Sequence, residues 1–395
     1  MPTQQFPELK PSARILLGPG PSNVNPRVLR AMSAPMIGHL DPEFIALMED
    51  TKKLLRMVFR TANPMTLPLS GTGSSGMEAA MANLIEPGDE VVVGVNGVFG
   101  GRMVDCAQRL GAKVHQARAE WGQILTTEAI ETALAACAKP KLVALVHAET
   151  STGAWQPIEE ISRLTHRRGA LLMLDAVTSL GCIPVNVDEW QVDICFSCTQ
   201  KGLSAPPGLA PLTVGERALA VIAERKSKCA SWYLDLAMIA QYWGQERVYH
   251  HTAPISMNYA LYEALRVVAE EGLEARFKRH ALHAAALHAG VRAMGLELAA
   301  QEGHRLPQLT TVKIPAGVDE ARVRATLLAD YNMEIGAGLG PLRGKIWRIG
   351  LMGESAQRNH VVVLLSALEA QLAAMGAEVA RGRALAAAEK VYAQG

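Results

Sequence analysis

The sequence predicts an α/β protein in which a mostly parallel sheet is sandwiched by helices and a smaller C-terminal α+β domain follows. Between Glu90 and Val214, near-continuous apolar strands alternate with amphipathic helices, a pattern typical of a buried parallel sheet. A turn rich in glycine and hydroxyl side chains, residues 69–76, separates a short apolar run from an evident helix. After Gly295 the pattern changes to short strands flanked by late helices, which indicates a second domain.

The composition indicates a folded protein that acts on small molecules. Apolar residues make up 49% of the chain, charged residues 19%, and the net charge is +1, so neither a basic nucleic-acid surface nor an acidic tail is present. The N-terminus lacks a basic start followed by an apolar run, and no segment is apolar for the roughly eighteen residues that a membrane span needs. We therefore expect a soluble, cytoplasmic protein with no nucleic-acid or membrane partner.

The cysteine and histidine patterns do not predict a disulfide framework or a metal site. Six cysteines in a chain of 395 residues are more typical of reduced thiols. Cys195 and Cys198 form a C-x-x-C pair, but they fall in a predicted strand where a spacing of three directs the side chains to opposite faces. His250 and His251 are adjacent and have no acidic residue or cysteine nearby at ligand spacing.

The first elements along the chain are a loop and a helix. Residues 15–23, ILLGPGPSN, end in a Gly-Pro alternation that breaks regular structure; they form either a pocket-lining loop or an ordinary turn. Asp41-Pro42 then starts a helix that continues to about Phe59.

The turn of residues 69–76, LSGTGSSG, has the composition of an anion-binding site. A helix N-terminus presents free N–H groups, glycines let the backbone approach an anion, and hydroxyls add donors. The phosphate loop that ends in Gly-Lys-Ser/Thr does not match, because no lysine follows the glycines of this turn. The turn therefore predicts a site for a single phosphate, although such turns also serve as plain helix caps.

Two strand ends carry the residues that best predict a function. One apolar strand ends at Asp175 and the next ends at Lys201, in a region with almost no other charge. Taken singly, the Asp is often a cap and the Lys a solvated edge charge. Together with the phosphate turn they predict a pyridoxal phosphate site, which needs an amine for a Schiff base, an acid for the pyridinium nitrogen and a phosphate cradle.

Other residues permit both a functional and a structural interpretation. Phe99 can stack on a planar cofactor or pack in the core, and the hydroxyls of residues 147–153, HAETSTG, can reach a ring substituent. Arg348 lies inside an apolar strand, where a guanidinium either meets a carboxylate or faces solvent. Asn258 reads as a helix cap.

The region from Trp232 to Met294 is predicted to be mostly helical. Helices are expected from Trp232 to Trp243 and from Ile255 to Glu271, followed by a long helix from Leu273 to Met294. We interpret the three histidines of that long helix, His280, His283 and His288, as a polar face.

Several motifs in order along the chain resemble those of the class V, fold type I pyridoxal phosphate aminotransferases. They are GPGPSN, SGTGSSGMEAA, HAETSTG, LLMLDAVTSLG, TQKGLSAPPG, YHHTAPISMN and GKIWRIGLMG. Within the family they are most similar to the glyoxylate-using group, which comprises the ureidoglycine, alanine and serine enzymes. The resemblance implies a seven-stranded large domain, a smaller C-terminal domain, and a homodimer with shared active sites. We expect an N-terminal segment (1–25), a large domain (26–272) and a small domain (273–395).

The resemblance also implies roles for individual residues. Lys201 would carry the cofactor and shuttle the proton, and Asp175 would face the pyridinium nitrogen. Phosphate contacts would come from Thr72, Gly73, Ser74 and Gln200, and from Tyr249 and Thr252 of the neighbouring subunit. Thr150 would lie near the ring hydroxyl, Phe99 would stack on the ring, and Arg348 would bind the substrate carboxylate, with Gly20 also on the substrate side.

The resemblance implies two residues that select the amino donor. Ureidoglycine-type relatives carry amide side chains near the positions of His39 and Asn258, which suit pairing with a ureido group. Asn258 matches and His39 departs from that pattern. We expect (S)-ureidoglycine as donor and glyoxylate as acceptor, with alanine or serine as the alternative donor.

Three other functions are compatible with parts of the sequence. A cysteine desulfurase would need a nucleophilic cysteine in a late loop, and none follows Cys229. A nucleotide-binding oxidoreductase would use G-x-G-x-x-G after a strand, a spacing that residues 71–76 have, and a nicotinamide titration without a fluorescence change would exclude it. A regulator that only retains the fold would lack turnover.

Overall fold

The structure is a computed structural model that describes residues 6–394. Its strands are β1 Ile15–Leu17, β2 Met65–Ser70, β3 Glu90–Val95, β4 Lys113–Arg118, β5 Pro140–Val146, β6 Ala148–Glu149, β7 Ala154–Trp155, β8 Leu171–Asp175, β9 Ile194–Phe196, β10 Leu209–Val214, β11 Leu309–Lys313, β12 Met333–Ala337 and β13 Ile346–Gly350. Its α-helices are α1 Pro26–Met32, α2 Pro42–Phe59, α3 Gly73–Leu84, α4 Val98–Arg109, α5 Thr127–Ala135, α6 Glu159–Arg167, α7 Glu216–Ala223, α8 Leu236–Trp243, α9 Ile255–Glu271, α10 Leu273–Ala293, α11 Glu320–Tyr331, α12 Arg358–Ala374 and α13 Arg383–Tyr392.

The larger sheet has seven strands in the order β2-β10-β9-β8-β5-β3-β4. Strand β10 is antiparallel to both of its neighbours, and the other neighbouring pairs are parallel. One face packs on α3, α4 and α7, and the other on α5, α6 and α9. Because both faces are covered, the strands read as continuous apolar runs, and the predicted sandwich of helices around a mostly parallel sheet is confirmed.

The smaller sheet joins the two ends of the chain. Its order is β1-β12-β13-β11, and β1 pairs in parallel with β12, with Ile15 opposite Met333. Helices α10 to α13 pack on this sheet around a separate core that includes Trp347, which is fully buried. The sequence does not predict β1, because three residues before a Gly-Pro loop give no strand pattern of their own.

The two cores support the division of the chain that the sequence predicts. We propose a large domain over residues 26–272 and a small domain over 273–395, with the segment 1–25 preceding them. Within the described residues of that segment, β1 lies in the sheet of the small domain.

Helix boundaries follow the sequence signals in some places and depart from them in others. Helix α2 starts as predicted, with Asp41 accepting a hydrogen bond from the Glu43 N–H and Pro42 in the first turn. Helix α8 begins at Leu236 rather than Trp232, because the Asp235 side chain caps it there.

No helix in the described part of the chain is long and apolar enough to cross a membrane.

The polar face predicted for α10 is wrong for two of its three histidines. His280 and His283 are buried. Nδ1 of His280 lies 2.7 Å from the Arg276 carbonyl, and Nε2 accepts a hydrogen bond from the Gly353 N–H at 2.9 Å. The two ring nitrogens thus connect α10 to a loop of the small domain.

Candidate active site

A cavity of about 280 Å³ lies where β8 and β9 end. In an open α/β sheet, functional groups collect at the carboxyl ends of the strands. The cavity contains ten of the fourteen residues that the sequence assigns to the site: Gly20, Thr72, Gly73, Ser74, Phe99, Thr150, Asp175, Gln200, Lys201 and Arg348.

Lys201 does not end the next strand as predicted, because β9 ends at Phe196, and the loop that follows β9 places its amine inside this cavity. Its side chain is buried, and Nζ donates hydrogen bonds to Oγ1 of Thr178 at 2.8 Å and, more weakly, to Oγ1 of Thr150 at 3.5 Å. Burial lowers the pKa of the amine, because the charged form loses its hydration. Compared with a lysine in water, a larger fraction of this amine is therefore neutral. The neutral amine is the form that acts as nucleophile and base.

Asp175 is the last residue of β8 and is buried in the same cavity. One carboxylate oxygen accepts a hydrogen bond from the Val177 N–H at 2.8 Å. Burial raises the pKa of this carboxyl to about 7. A cationic group against its second oxygen would lower the pKa again, so the carboxylate is suited to a protonated ring nitrogen.

The N-terminus of α3 supplies free backbone donors to the cavity. Thr72 is the N-cap residue but makes no side-chain capping bond, so the first N–H groups of the helix remain available to an anion. The helix packs closely on β9 and on the residues just after it. A Cβ on Gly76 would stand 3.1 Å from Cβ of Phe196, and a Cβ on Gly73 would stand 2.9 Å from Cβ of Cys198. Glycine at these two positions brings the helix terminus up to the cavity.

Gln200 adds a polar atom that lacks a partner. Its Oε1 is buried and forms no hydrogen bond within residues 6–394. Since an unpaired buried polar atom is unfavourable, this carbonyl oxygen at the cavity wall is consistent with a bound polar group.

Phe99 and Gly20 shape two walls of the cavity. Nζ of Lys201 lies 5.6 Å from the centroid of the Phe99 ring. Gly20 has φ +114°, and a Cβ there would stand 3.1 Å from Cε of Lys201. Glycine is required at position 20 because both this backbone conformation and the contact with Lys201 exclude a side chain.

Arg348 brings a positive charge to the cavity wall. It lies in the middle of β13 and is buried, so the alternative of a solvated arginine does not hold. Its Nε donates to the Ala337 carbonyl at 2.7 Å and its Nη1 to the Thr150 carbonyl at 3.3 Å. Burial lowers the pKa of Arg348 to about 10, which leaves it cationic at neutral pH, and none of its contacts in the described part of the chain is an ion pair. It can therefore receive a carboxylate.

Four predicted site residues lie outside the cavity of their own chain: His39, Tyr249, Thr252 and Asn258. The rings of His39 and Tyr249 are 5.3 Å apart, and Tyr249 and Thr252 are exposed. Asn258 is buried on α9, where its Nδ2 donates to the Pro254 carbonyl at 3.0 Å. Their assignment remains a prediction.

The structure adds residues that the sequence does not single out. Thr178 is buried and holds the Lys201 amine, and Met77, Arg102, Val177, Phe196 and Leu339 contribute to the cavity wall. Thr178 follows Asp175 by three residues, which is a weak signal because threonine is common after strands. Only the folded arrangement distinguishes it.

Comparison with known proteins identifies the family to which these residues belong. The sequence model of the family described as "Aminotransferase class-V" matches residues 15–342, which is most of the chain and includes both Asp175 and Lys201. The chain belongs to the class V aminotransferases.

Individual relatives are similar over nearly the whole chain. The (S)-ureidoglycine–glyoxylate transaminase of Bacillus subtilis (strain 168) is 43% identical over 98% of this chain and 97% of its own. The crystal structure of the ureidoglycine-glyoxylate aminotransferase from Bacillus subtilis superimposes with a TM-score of 0.96 at 44% identity, covering 98% of this chain and 100% of that one. An alanine–glyoxylate aminotransferase structure from Nostoc sp. gives 0.92 at 49% identity, covering 93% and 98%.

This class V aminotransferase uses pyridoxal phosphate, and its cavity fits that group. The free N–H groups at the N-terminus of α3 suit a phosphate. Asp175 suits the ring nitrogen, the Phe99 ring suits a planar system, and the Lys201 amine suits an aldehyde. The fold type and the enzyme class that the sequence predicts are confirmed.

Proposed function

We propose that this aminotransferase transfers an amino group from (S)-ureidoglycine to glyoxylate by a ping-pong mechanism, as a step of purine catabolism. The observation that carries the transaminase chemistry is the convergence of Lys201, Asp175 and Arg348 on one cavity. The similarity to the ureidoglycine enzyme of Bacillus subtilis over 98% of the chain supports the choice of substrates.

Lys201 is the acid–base group of the proposed mechanism. Pyridoxal phosphate, when bound, supplies an aldehyde for the donor amine and a ring that accepts the electrons left as the α-proton departs. The Lys201 amine would remove that proton from the substrate α-carbon and later return a proton to the aldehyde carbon of the cofactor. Burial lowers the pKa of Lys201 and so favours the unprotonated amine that can accept a proton, and Thr178 holds the free amine through a hydrogen bond.

Asp175 acts on the ring nitrogen of the cofactor, and Arg348 positions the substrate. The Asp175 carboxylate keeps a proton on the pyridine nitrogen, which maintains the electron-accepting character of the ring. Arg348 binds the substrate carboxylate through its guanidinium, which offers parallel N–H donors to two oxygens. Since donor and acceptor both carry a carboxylate next to the reacting carbon, they bind there one after the other, and ping-pong kinetics follow.

The donor assignment also uses His39 and Asn258, which lie outside the cavity of their own chain and would reach a substrate only in the proposed dimer. The Nε2 atom of His39 and the Oδ1 atom of Asn258 are buried and have no hydrogen-bond partner within residues 6–394. A ureido group offers both N–H donors and a carbonyl acceptor, so these two side chains suit it better than they suit a methyl group. The alternative donor is alanine or serine, and the 49% identity to the alanine–glyoxylate enzyme structure from Nostoc sp. favours it.

We also propose that the enzyme is a homodimer in which Tyr249 and Thr252 reach the cofactor phosphate of the neighbouring subunit. Large exposed apolar side chains occur around these positions: Met36, Leu40, Trp232, Tyr233 and Val248. A contiguous exposed apolar surface is typical of an interaction site, and a second copy of the chain would cover it. The six free thiols support a cytoplasmic location.

A substrate panel tests the function. The purified holoenzyme is assayed with (S)-ureidoglycine, alanine and serine as donors against glyoxylate and pyruvate as acceptors, with the Lys201→Ala variant as control. We expect the highest kcat/KM for ureidoglycine with glyoxylate, and no turnover by the variant. Turnover of alanine without turnover of ureidoglycine would reject the proposed donor, and no turnover of any pair would reject the transaminase function.

A further inference from the structure

Glu149 is a fully buried carboxylate that lies beside the active site without lining it. It ends the short strand β6 and has no exposed surface. It takes part in no salt bridge within the described residues. A buried carboxylate is costly unless other groups satisfy its oxygens, so its partners indicate what it does.

All of the hydrogen-bond partners of Glu149 are donors. Oε1 accepts from the Ser151 N–H at 3.0 Å and from the Ser151 hydroxyl at 2.6 Å. Oε2 accepts from the Phe99 N–H at 3.1 Å. Burial raises the pKa of Glu149, while the N–H groups of Ser151, Phe99 and Gly100 and the Ser151 hydroxyl oppose that rise.

These contacts cap α4 from another part of the chain. The Ser151 hydroxyl, which donates to Glu149, accepts a hydrogen bond from the Val98 N–H at 3.0 Å. Glu149 and Ser151 together thus satisfy the first two N–H groups of α4. A helix normally takes such a cap from the residue just before it, but here that residue is Gly97 and has no side chain to offer.

Gly97 and Glu149 are matched to each other. A Cβ at position 97 would stand 2.3 Å from Cδ of Glu149 and 2.5 Å from Oγ of Ser151. The absence of a side chain at the N-cap position therefore leaves the space that the carboxylate occupies. A residue some fifty positions later in the chain replaces the missing local cap.

The capped turn carries the aromatic wall of the cavity. Phe99 is the second residue of α4, and its ring faces the Lys201 amine at 5.6 Å. Because the backbone N–H of Phe99 is fixed by Glu149, the position of the ring depends on that hydrogen bond. We propose that Glu149 is a positioning residue that sets the Phe99 ring against the pyridoxal phosphate by capping α4. The inference rests on the proposed stacking role of Phe99.

A double-mutant cycle on cofactor binding tests the proposal. The variants are Glu149→Gln, Phe99→Leu and the double variant, with Glu131→Gln on the exposed face of α5 as matched control. Glutamine keeps the size of glutamate but replaces one acceptor by an N–H₂ group that faces donors. The dissociation constant of pyridoxal phosphate is measured by titrating each apoprotein and following intrinsic fluorescence, and visible circular dichroism reports the setting of the bound ring.

We expect Glu149→Gln and Phe99→Leu each to weaken cofactor binding by about tenfold. The double variant is expected to bind within about twofold of Phe99→Leu alone, because two residues that act through one contact do not add. Glu149→Gln should also change the visible circular dichroism of the bound cofactor, and Glu131→Gln should change neither quantity. Hydrogen exchange of the apoprotein should be faster in residues 97–101 of Glu149→Gln, which requires no cofactor.

Two outcomes would overturn the inference in distinguishable ways. If the effects of Glu149→Gln and Phe99→Leu multiply in the double variant, Glu149 acts independently of the ring, and the site as proposed still stands. If Phe99→Leu binds the cofactor like the wild type, the stacking role itself is wrong. Should Glu149→Gln fail to fold, Ser151→Ala replaces it in the same cycle, because it removes the acceptor of the Val98 N–H and leaves the carboxylate in place.

Discussion

Burial has opposite effects on the two central residues of the site. It raises the pKa of Asp175 to about 7 and lowers the pKa of Lys201, because in each case the charged form loses hydration. In the cofactor-free protein, the Asp175 carboxylate is thus held in place at a cost in stability. Residues that serve function at such a cost are common in active sites.

Asp175→Asn should stabilise the apoprotein at alkaline pH. Since the folded pKa of Asp175 is about 7 and its ordinary value is 3.8, its contribution to stability is present below 3.8 and is lost as the pH rises through 7, by at most about 1.4 kcal/mol per pH unit. Thermal unfolding of both apoproteins from pH 4 to 9 measures this. The melting temperature of the variant should exceed that of the wild type increasingly up to about pH 7, and then by a constant amount.

The same variant should lose activity, since asparagine does not hold a proton on the ring nitrogen. If Asp175→Asn has the same melting temperature as the wild type at every pH, the wild-type apoprotein does not bury an ionised Asp175. A variant that keeps full turnover would contradict its catalytic role.

Arg348→Lys should raise the KM for glyoxylate by about tenfold or more, because one ammonium cannot replace the two parallel donors of a guanidinium. Steady-state kinetics at saturating donor measure the change, and kcat should fall less than kcat/KM. The conservative change Arg322→Lys, on the exposed surface of α11, is the matched control. An unchanged KM in Arg348→Lys would place the substrate carboxylate elsewhere.

At the scale of elements, the position of α3 matters more than its composition. The turn of residues 69–76 predicts an anion site, but the site exists because Gly73 and Gly76 let the helix contact Cys198 and Phe196. The spacing of the glycines suggests close packing without identifying the partner strand.

Gly73→Ala should weaken cofactor binding by about tenfold or more, since a Cβ there would stand 2.9 Å from Cβ of Cys198 and push the first turn away from the phosphate. Apoprotein titration measures the change. The control is Gly101→Ala on α4, where a Cβ meets nothing within 4 Å in the described part of the chain. That control should gain about 0.5–1 kcal/mol of stability without a change in binding. Equal cofactor affinity in Gly73→Ala would contradict the phosphate assignment.

Helix α10 shows where pattern reasoning fails at this scale. Its three histidines suggest a polar face because their imidazole rings are polar and titratable. The structure buries His280 and His283, since α9, α12 and α13 all pack against α10. The sequence of one helix does not reveal how many neighbours it has.

At the scale of the whole molecule, the proposed dimer with shared sites makes a quantitative prediction. We expect a mixture of the Lys201→Ala variant and a Tyr249→Ala/Thr252→Ala variant to recover activity after subunit exchange. Half of the dimers formed at random are hybrids with one intact site, so the mixture should reach about a quarter of wild-type activity. Turnover after equilibration measures it.

The control for that exchange is a mixture of Lys201→Ala with Asp175→Asn. Lys201 and Asp175 face the same cavity of one chain, so no hybrid has an intact site and no activity should return. Failure of the first mixture to exceed this control would reject the sharing of sites between subunits.

The sequence by itself determined the strand–helix alternation, the phosphate turn and Asp175 at the end of a strand, because apolar periodicity and polar strand ends are local signals. Lys201 was expected to end the next strand, but β9 ends at Phe196 and the lysine lies in the loop that follows. Arg348 needed the resemblance of a whole motif, since a lone arginine in a strand fits a solvated edge equally well. Only the tertiary structure decided that β1 joins a sheet more than three hundred residues away, that Thr178 holds the amine, and that Glu149 caps α4. The physical reason is that these three features depend on contacts between distant segments, and the periodicity of a chain does not record them.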